Sequence, residues 1–516
     1  MNGAQALVET LSACGVRTCF ANPGTSEMHM VYALDSVEDF DSVLCLDEGV
    51  VTGAADGYAR MAGVPAATLL HLGPGLGNGW ANLHNARRSH TPLINVVGDH
   101  ATYHKRFDAP LESDIDSLAR AVSRWVRRSS RSSDVGPDTA DAVAAALTPP
   151  GGVATLILPA DASWEEGAAA GRPIPLPPLA TVPDEVVAEV VALLKGDARV
   201  VVLLGGAALK DRGLCAASRV AEATGATVLT ETHTAHLQRG VGRPVFDALG
   251  YFAEAAFQQL AGAQHLITVG CRAPVAFFAY PGRPSSLVPE GCSVVALGQP
   301  GQDEVGALEE VASRVAPDLR PLLAVAGDAS SPPAAEPLTP AVVGAVVGSA
   351  LPEGAIVVEE SITARPALQD GTVHAPPHDW LAHVGGAIGQ GLPLATGAAV
   401  ACPDRKVVCL EADGSAMYTI QALWTQARRN LDVTTVIMSN RAYAILQIEM
   451  HRIVAQPPGP RAASSLSLSG PDLDFATIAR GMGVEAVRAT TAGELAHAIT
   501  VGMDTAGPLL IDARLV

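Results

Sequence analysis

The sequence predicts an α/β chain of three doubly wound, parallel-sheet domains, and three observations carry that reading. A chain of 516 residues exceeds one domain at roughly 150 residues each. Short apolar runs alternate with segments of helical spacing throughout, the pattern of parallel sheets covered on both faces. Two stretches rich in Pro, Ala and small polar residues, 167–185 (GAAAGRPIPLPPLATVPDE) and 327–340 (GDASSPPAAEPLTP), break that alternation and read as linkers. They delimit units at 1–166, 186–326 and 340–516.

Each unit follows the same pattern. The first opens with a helix that places Leu7, Leu11 and Cys14 on one face and stops at Gly15. Strand-like runs follow at 16–21, 42–46, 65–71 and 92–98. The second unit has runs at 199–206, 226–231, 265–270 and 293–298; the third at 355–360, 406–413, 434–440 and 508–513. Ligands in such folds bind at the carboxyl ends of strands, so the residues just after each run are the informative ones. The segment 124–134, with Arg124, Arg127, Arg128 and Arg131, reads as a solvated helix face rather than a phosphate patch. The segment 452–474 has turn chemistry and little core, and is expected to be a loop beside a site.

Composition excludes several classes. Against 53 acidic residues there are 34 basic ones, a net charge of −19. Such a surface repels phosphate backbones and anionic lipid, which argues against nucleic acid or a membrane as the main partner. With 48% hydrophobic and 17% charged residues, global disorder is excluded. No apolar run reaches the roughly 18 residues of a membrane span, and the first residues lack the basic region of a signal peptide. The eight cysteines are scattered with no CxxC pair, so they read as small buried hydrophobes in a reducing, cytoplasmic setting.

The strongest local signal is KVVCLEADGSAMYTIQALWTQARRNLDVTTVIMSNRAYAI. A strand ends in Asp413-Gly414-Ser415, and a second strand ends in Asn440, 27 positions on. A carboxylate and an amide at neighbouring strand ends offer hard oxygens to Mg²⁺, which favours few protein carboxylates together with phosphate oxygens and water. Gly414 permits close backbone approach, and the helix starting near Ser415 presents N–H groups to an anion. The alternative is a strand-end turn in which Asp413 caps a helix.

This segment resembles the diphosphate motif of the thiamine-diphosphate enzymes, with Ala412 in place of the motif's first Gly. The resemblance implies that Asp413, Asn440 and the carbonyl of Ala442 hold Mg²⁺, with Ser415 and Tyr443 at the diphosphate. The stretch LCLDEGVVTGAADGYAR resembles the family's glutamate-bearing strand end, which makes Glu48 the acid beside the aminopyrimidine. A carboxyl buried next to a neutral ring favours its protonated form, as that role requires; a surface Glu at a helix N-terminus is the alternative. VGGAIGQGLPLATGAA is similar to the stretch that supplies a backbone acceptor, here Gly386, and a wedge between the cofactor rings, here Ile388. Glu360-Ser361-Ile362-Thr363 matches a loop whose hydroxyls, on Ser361 and Thr363, donate to the diphosphate. CFANPGTSE, with Asn22 and Gly24, and LHLGPGLGNGWANLHNAR match first-domain loops near the reacting carbon. In the second of these Asn78 and Trp80 break any GxGxxG register.

The resemblance covers nearly the whole chain. It implies a pyrimidine-binding domain, a central Rossmann-like domain and a diphosphate-binding domain, with active sites between subunits of a homodimer or homotetramer. FAD, which some relatives hold in the central domain, is disfavoured because no dinucleotide signature is present. The chemistry implied is decarboxylation of a 2-oxo acid. It is followed by protonation, which releases an aldehyde, or by attack on a second carbonyl, which makes a carboligase.

His71 matches a proton-relaying His of benzoylformate decarboxylase, although a structurally satisfied His is the plain alternative. Pro110-Leu111-Glu112 stands where acetolactate synthases carry Phe-Gln-Glu, and Phe277, Phe278 and Tyr280 stand where benzoylformate decarboxylase has a second His. Those aromatics line an acyl pocket or belong to the core. The first reading is therefore a 2-oxo acid decarboxylase or carboligase. True acetolactate synthase, a catalytically silent cofactor-binding subunit and, weakest, a nicotinamide dehydrogenase are the alternatives.

Overall fold

The computed structural model of the chain describes residues 1–327, 332–454 and 456–516; part of the second expected linker and one residue of the expected loop 452–474 lie outside them. Three sheets form. The first has six parallel strands in the order Asp41–Leu44, Thr18–Asn22, Ala66–Leu70, Leu93–Asp99, Val153–Pro159, Trp125–Arg128. The central sheet has five: Asp247–Ala248, Thr227–Thr230, Val200–Leu204, His265–Val269 and Ser293–Gly298. The third has seven, in the order Glu485–Ala489, Leu509–Arg514, Val433–Ser439, Val407–Ala412, Ile356–Glu360, His378–Ala382, His236–Arg239.

Strand alternation feeds two cores per sheet. Ile356 and Val358 point into one apolar cluster and Val357 into another, as the period of two requires. The larger cluster is continuous from the first unit (Phe20, Val50, Leu83) into the third (Leu392, Leu423, Ile437). Its hinge is the packing of helix Glu48–Ala62 on helix Gly391–Ala401. A Cβ at Gly57 would strike the backbone of Leu394, and one at Gly397 the backbone of Ala54, so both positions hold glycine to let the helix backbones touch. Asp56 and Arg60 form a buried ion pair at 2.7 Å. Arg60 also donates to the carbonyls of Ala235 and Ala382, tying all three units together at one guanidinium.

Three differences from the sequence reading have clear physical causes. Residues 124–134 are not a helix face: Trp125–Arg128 is an edge strand paired with Val153–Pro159, a fully buried strand absent from the expected runs. There Arg127 bonds Asp138 and Asp141, and Arg128 bonds Asp99 and Asp116; tertiary ion pairs make the arginines compatible with an edge. Residues 72–88 are a helix rather than a loop, since Pro74 lies in the first turn, where its missing N–H is harmless. Lastly, His236–Arg239 leaves the central unit and pairs antiparallel with His378–Ala382.

Among the described residues no helix is long and apolar enough to cross a membrane, and all eight cysteines are free.

Candidate active site

The strands Val407–Ala412 and Val433–Ser439 pair in parallel, with Ala412 opposite Met438, so Asp413 and Asn440 leave the sheet side by side. Asp413 is buried and accepts N–H bonds from Gly414 at 2.9 Å and Arg441 at 2.6 Å. Burial pushes its carboxyl up, opposed by those backbone donors. No cationic side chain pairs with it among the described residues, which suits it to a divalent cation. Asn440 accepts from the Ala442 N–H at 2.9 Å, folding the backbone back toward the strand end. Residues 441–443 are held there by the segment 466–468: Tyr443 N–H bonds the Leu466 carbonyl at 3.0 Å, and Leu468 N–H bonds the Arg441 carbonyl at 2.8 Å. The described part of the expected loop thus lies beside the site. The Tyr443 ring lies where a side chain at Gly414 would be, so glycine there lets the ring pack on the backbone at the strand end.

The hydroxyls behave differently from expectation. Ser415 donates to Glu411, and Ser361 donates to Glu359 at 2.6 Å, so neither hydroxyl proton is aimed outward. Thr363 is exposed and has no hydrogen bond among the described residues. Glu360 and Glu411 are fully buried, and both carboxyls face the Gly391 Cα. Burial, then the neighbouring acid, drives Glu411 well above the usual range, and burial raises Glu360 to about 8. Glu360 accepts from Gly389 N–H at 3.0 Å and Gly391 N–H at 2.6 Å. This pair holds the start of helix Gly391–Ala401 against the strand ends.

The loop 385–389 is gripped by the first unit. His84 lies 3.1 Å from the Gly385 carbonyl, Asn85 donates to the Ala387 carbonyl at 2.8 Å, and Asn82 to the Gly389 carbonyl at 3.2 Å. Gly386 and Gly389 have φ of +82° and +93°, a region open to glycine without strain. Phe277 covers Gly386, 2.7 Å from where a Cβ would stand. Its ring packs edge-on with Phe278 at 5.1 Å and His233 at 5.7 Å. Ile388 is half-buried. Tyr280 points elsewhere and donates to Glu449 at 2.7 Å.

The first unit supplies a second constellation. Asn22 ends one strand, Leu70 ends its neighbour, and His71 follows. His71 Nδ1 lies 2.8 Å from Glu27 and 3.2 Å from the Ser26 hydroxyl. Glu27 is buried and also accepts from Gly24 N–H at 2.7 Å and Ser26 Oγ at 2.5 Å. Two glycines make this possible: a Cβ at Gly24 would enter the His71 ring, and one at Gly98 would strike the Glu27 carboxyl. The imidazole thus requires glycine at position 24. Gly24 N–H and Ser26 Oγ already donate to Glu27; an Nδ1–H donor from His71 completes the set and leaves Nε2 as the acceptor. Glu48, at the first turn of its helix and 8% exposed, accepts from Asn78 at 3.0 Å. The Glu48 carboxyl and the His71 Cβ flank Gly75 from two sides.

Sequence reading missed Glu27, Asn82, Asn85 and Glu411. Glu27 stood in the quoted run CFANPGTSE, and its signal was a lone acid after a Gly-Thr-Ser turn. Among the described residues no hydrogen bond joins Glu48 or His71 to Asp413, Asn440 or Tyr443.

The glycine turn at the end of the first central strand is lined by acidic groups. At the end of Val200–Leu204 the Gly205-Gly206-Ala207 turn is where a dinucleotide diphosphate would lie. Glu304 accepts the Ala207 N–H there at 3.2 Å, and Glu231 accepts from Gly206. Burial raises both carboxyls, Glu231 to about 7, so acid groups stand where a dinucleotide's diphosphate would lie.

Comparison with known proteins agrees with the strand-end chemistry. Residues 1–119 match the family "Thiamine pyrophosphate enzyme, N-terminal TPP binding domain", and residues 368–513 match "Thiamine pyrophosphate enzyme, C-terminal TPP binding domain". The chain is 55% identical over 513 residues to IlvX of Mycobacterium tuberculosis, provisionally named an acetolactate synthase large subunit, covering 99% of this chain and 98% of that one. It is 30% identical over 533 residues to benzoylformate decarboxylase of Pseudomonas aeruginosa, covering 98% and 97%. The solved 4-hydroxybenzoylformate decarboxylase of Rhodococcus jostii RHA1 superposes with a TM-score of 0.85 at 26% identity, covering 100% and 99%. With two domain models, a full-length relative and the strand-end geometry in agreement, the chain belongs to the thiamine pyrophosphate-dependent enzymes.

Proposed function

We propose that this enzyme decarboxylates a 2-oxo acid and releases an aldehyde or joins the acyl unit to a second carbonyl, with His71 governing the proton at the reacting carbon. The observation that carries the reading is the Glu27–His71 pair beside Glu48. Thiamine diphosphate, when bound, supplies an electron sink for the pair left by CO₂. Asp413, Asn440 and the Ala442 carbonyl hold its Mg²⁺; Gly414, Ser415 and Tyr443 border the diphosphate. The Gly386 carbonyl would accept from the amino group, Ile388 would pack against the cofactor rings, and the Glu48 carboxyl would hold a proton at the pyrimidine. Ser361 and Thr363 reach the phosphates only if the Ser361 hydroxyl turns away from Glu359.

The chain's own groups divide the proton work. With Glu27 holding Nδ1, Nε2 would be the nitrogen left to accept a proton from, or return one to, the reacting carbon. Phe277 covers Gly386, and Phe278 beside it adds exposed apolar surface suited to an acyl group. The separation of the Glu48 and Asp413 groups within one chain fits a site shared by two subunits of a homodimer or homotetramer.

Acetolactate synthesis from two pyruvates is the second reading, favoured by the 55% identical relative's name. His71 with its buried acid, and Leu111 and Pro110 in the loop 108–112, favour the first. The test is CO₂ release and product identification with benzoylformate, pyruvate and longer 2-oxo acids. Aldehyde from an aromatic or long-chain 2-oxo acid is expected. Acetolactate from pyruvate as the sole product would refute the reading, and no turnover at all would point to a silent subunit.

A further inference from the structure

The helix Ala444–Ile453 starts directly after Tyr443, so whatever fixes this helix also fixes the strand end that bears Asn440 and Ala442. Its one buried side chain is an acid, Glu449. A carboxylate out of water needs partners, and Glu449 finds one on the central unit: the Tyr280 hydroxyl donates to it at 2.7 Å. Arg452, one turn on, donates to it at 2.9 Å. The same guanidinium pairs with Glu254 of the central helix Ala253–Leu260 and lies over the Phe252 ring, 4.3 Å from its centroid, and the Tyr280 ring at 5.3 Å. Glu254 also pairs with Arg283. The third unit is thus fastened to the central one by alternating charges between aromatic faces.

From this latch a row of rings leads back to the third unit. Phe252 packs on Tyr251 at 5.1 Å, Tyr251 on Phe277 at 5.4 Å, and Phe277 covers Gly386. The central unit therefore spans the gap between the loop 385–389 and the helix that follows Tyr443. Ile445 and Leu446 lie four and three positions before Glu449, so they share its helix face, one turn nearer the strand end. Leu446 is 46% exposed and Phe278 is 54% exposed, large apolar groups with unfilled surface on either side of the latch. Apolar contacts alone would let such walls slide; a buried, charge-assisted network holds one geometry.

We propose that Tyr280, Glu449 and Arg452 are positioning residues that set the width of the acyl pocket, holding the Ile445–Leu446 turn at a fixed distance from Phe278 and so selecting a 2-oxo acid whose acyl group is broad enough to touch both. The inference rests on the 2-oxo acid reading above and deepens it. None of the three residues acts on the reacting atoms; they work through the helix on one side and the aromatic row on the other. Loosening the latch costs a broad acyl group its second wall and costs a methyl group nothing, because a methyl group does not span the pocket.

The test uses the full-length protein saturated with thiamine diphosphate and Mg²⁺, and two readouts. The first is the ratio of kcat/KM for benzoylformate to that for pyruvate. Tyr280→Phe and Glu449→Ala should each lower it by about fivefold, chiefly through a higher KM for benzoylformate. Glu449→Gln, which keeps an oxygen for the Tyr280 hydroxyl, should lower it less than Glu449→Ala. A merely structural role would reduce turnover of both acids alike, so a ratio within about twofold of wild type in both variants overturns the proposal. The second readout is hydrogen–deuterium exchange of amides 444–453 without substrate, which should quicken in Tyr280→Phe and Glu449→Ala; unchanged exchange in both overturns the latch. Failure of the wild type to turn over either acid would count against the proposed function instead. The ratio is then read from equilibrium binding of the two acids by calorimetry, with the same criterion.

Discussion

Glu27 and His71 leave two different strands of the first sheet and meet at 2.8 Å, with glycines at 24 and 98 clearing the space for both side chains. Forty-four residues separate them in the chain, and the sheet order brings them together.

His71→Ala should slow aldehyde release by about 10²–10⁴-fold, the range for a lost general acid–base, and slow carboligation less, because only the former adds a proton to the reacting carbon. Glu27→Gln should change the product ratio in the same direction. It should also shift the imidazole tautomer seen by ¹H–¹⁵N NMR of His71, a signal that loss of general stability would not move. Equal loss of both products in His71→Ala would remove it from the relay.

Chelation with EDTA followed by dialysis should strip thiamine diphosphate from the protein, since Asp413, Asn440 and Ala442 hold the phosphates through an ion. Asp413→Ala should reproduce that loss at saturating Mg²⁺. Cofactor content, read from the released thiamine fluorescence after oxidation, is the measurement; unaltered content in both cases contradicts the assignment.

Glu48→Gln should leave cofactor content unchanged while nearly abolishing exchange of the thiazolium C2 proton, followed by NMR after acid quench. A wild-type exchange rate in the variant would assign the proton-holding role to another group.

Three buried imidazoles should pull stability down below pH 6.5, while Glu231, Glu360 and Glu411, whose carboxyls burial raises, pull the other way by taking up protons on folding. Burial lowers His378 to about 4 and His233 to about 3, and lowers His383 well below its ordinary value. An unfolded histidine takes its proton near 6.5, so between that pH and the folded values the unfolded chain binds more protons. Stabilisation by these three groups is full above about pH 6.5, and each loses up to about 1.4 kcal/mol per pH unit as the pH falls through the window. Arg365 contacts both His233 and His383 beside the loop that bears Gly386. Chemical denaturation of the wild type and His378→Gln from pH 8 to pH 4.5 isolates one imidazole: the variant should lose less stability as the pH falls, and identical slopes would mean that His378 finds water or a proton partner in solution.

Much of the site was legible because its signals are local. Asp413 and Asn440 each end an apolar strand, and two adjacent parallel strands necessarily bring their ends together. Glu48 and His71 were found in the same way, as residues just past strand runs. Glu27 was not, because nothing near it in sequence announces an imidazole. The reading of 124–134 as a solvated helix face failed for a related reason: periodicity reports neither the strand pairing of 125–128 nor the acids that Arg127 and Arg128 find.

The amino-acid order alone determined the three-unit α/β plan, the strands and the cofactor-facing strand ends, since period-two apolar runs and turn residues act over a few positions. Tertiary structure alone decided the remainder. It directed the Ser361 and Ser415 hydroxyls inward to carboxylates, lent His236–Arg239 to the third sheet, paired Glu27 with His71, and fastened Glu449 to Tyr280 of the central unit. Those outcomes depend on which distant groups share a desolvated space, and burial there makes every charge and donor answer to its nearest partner.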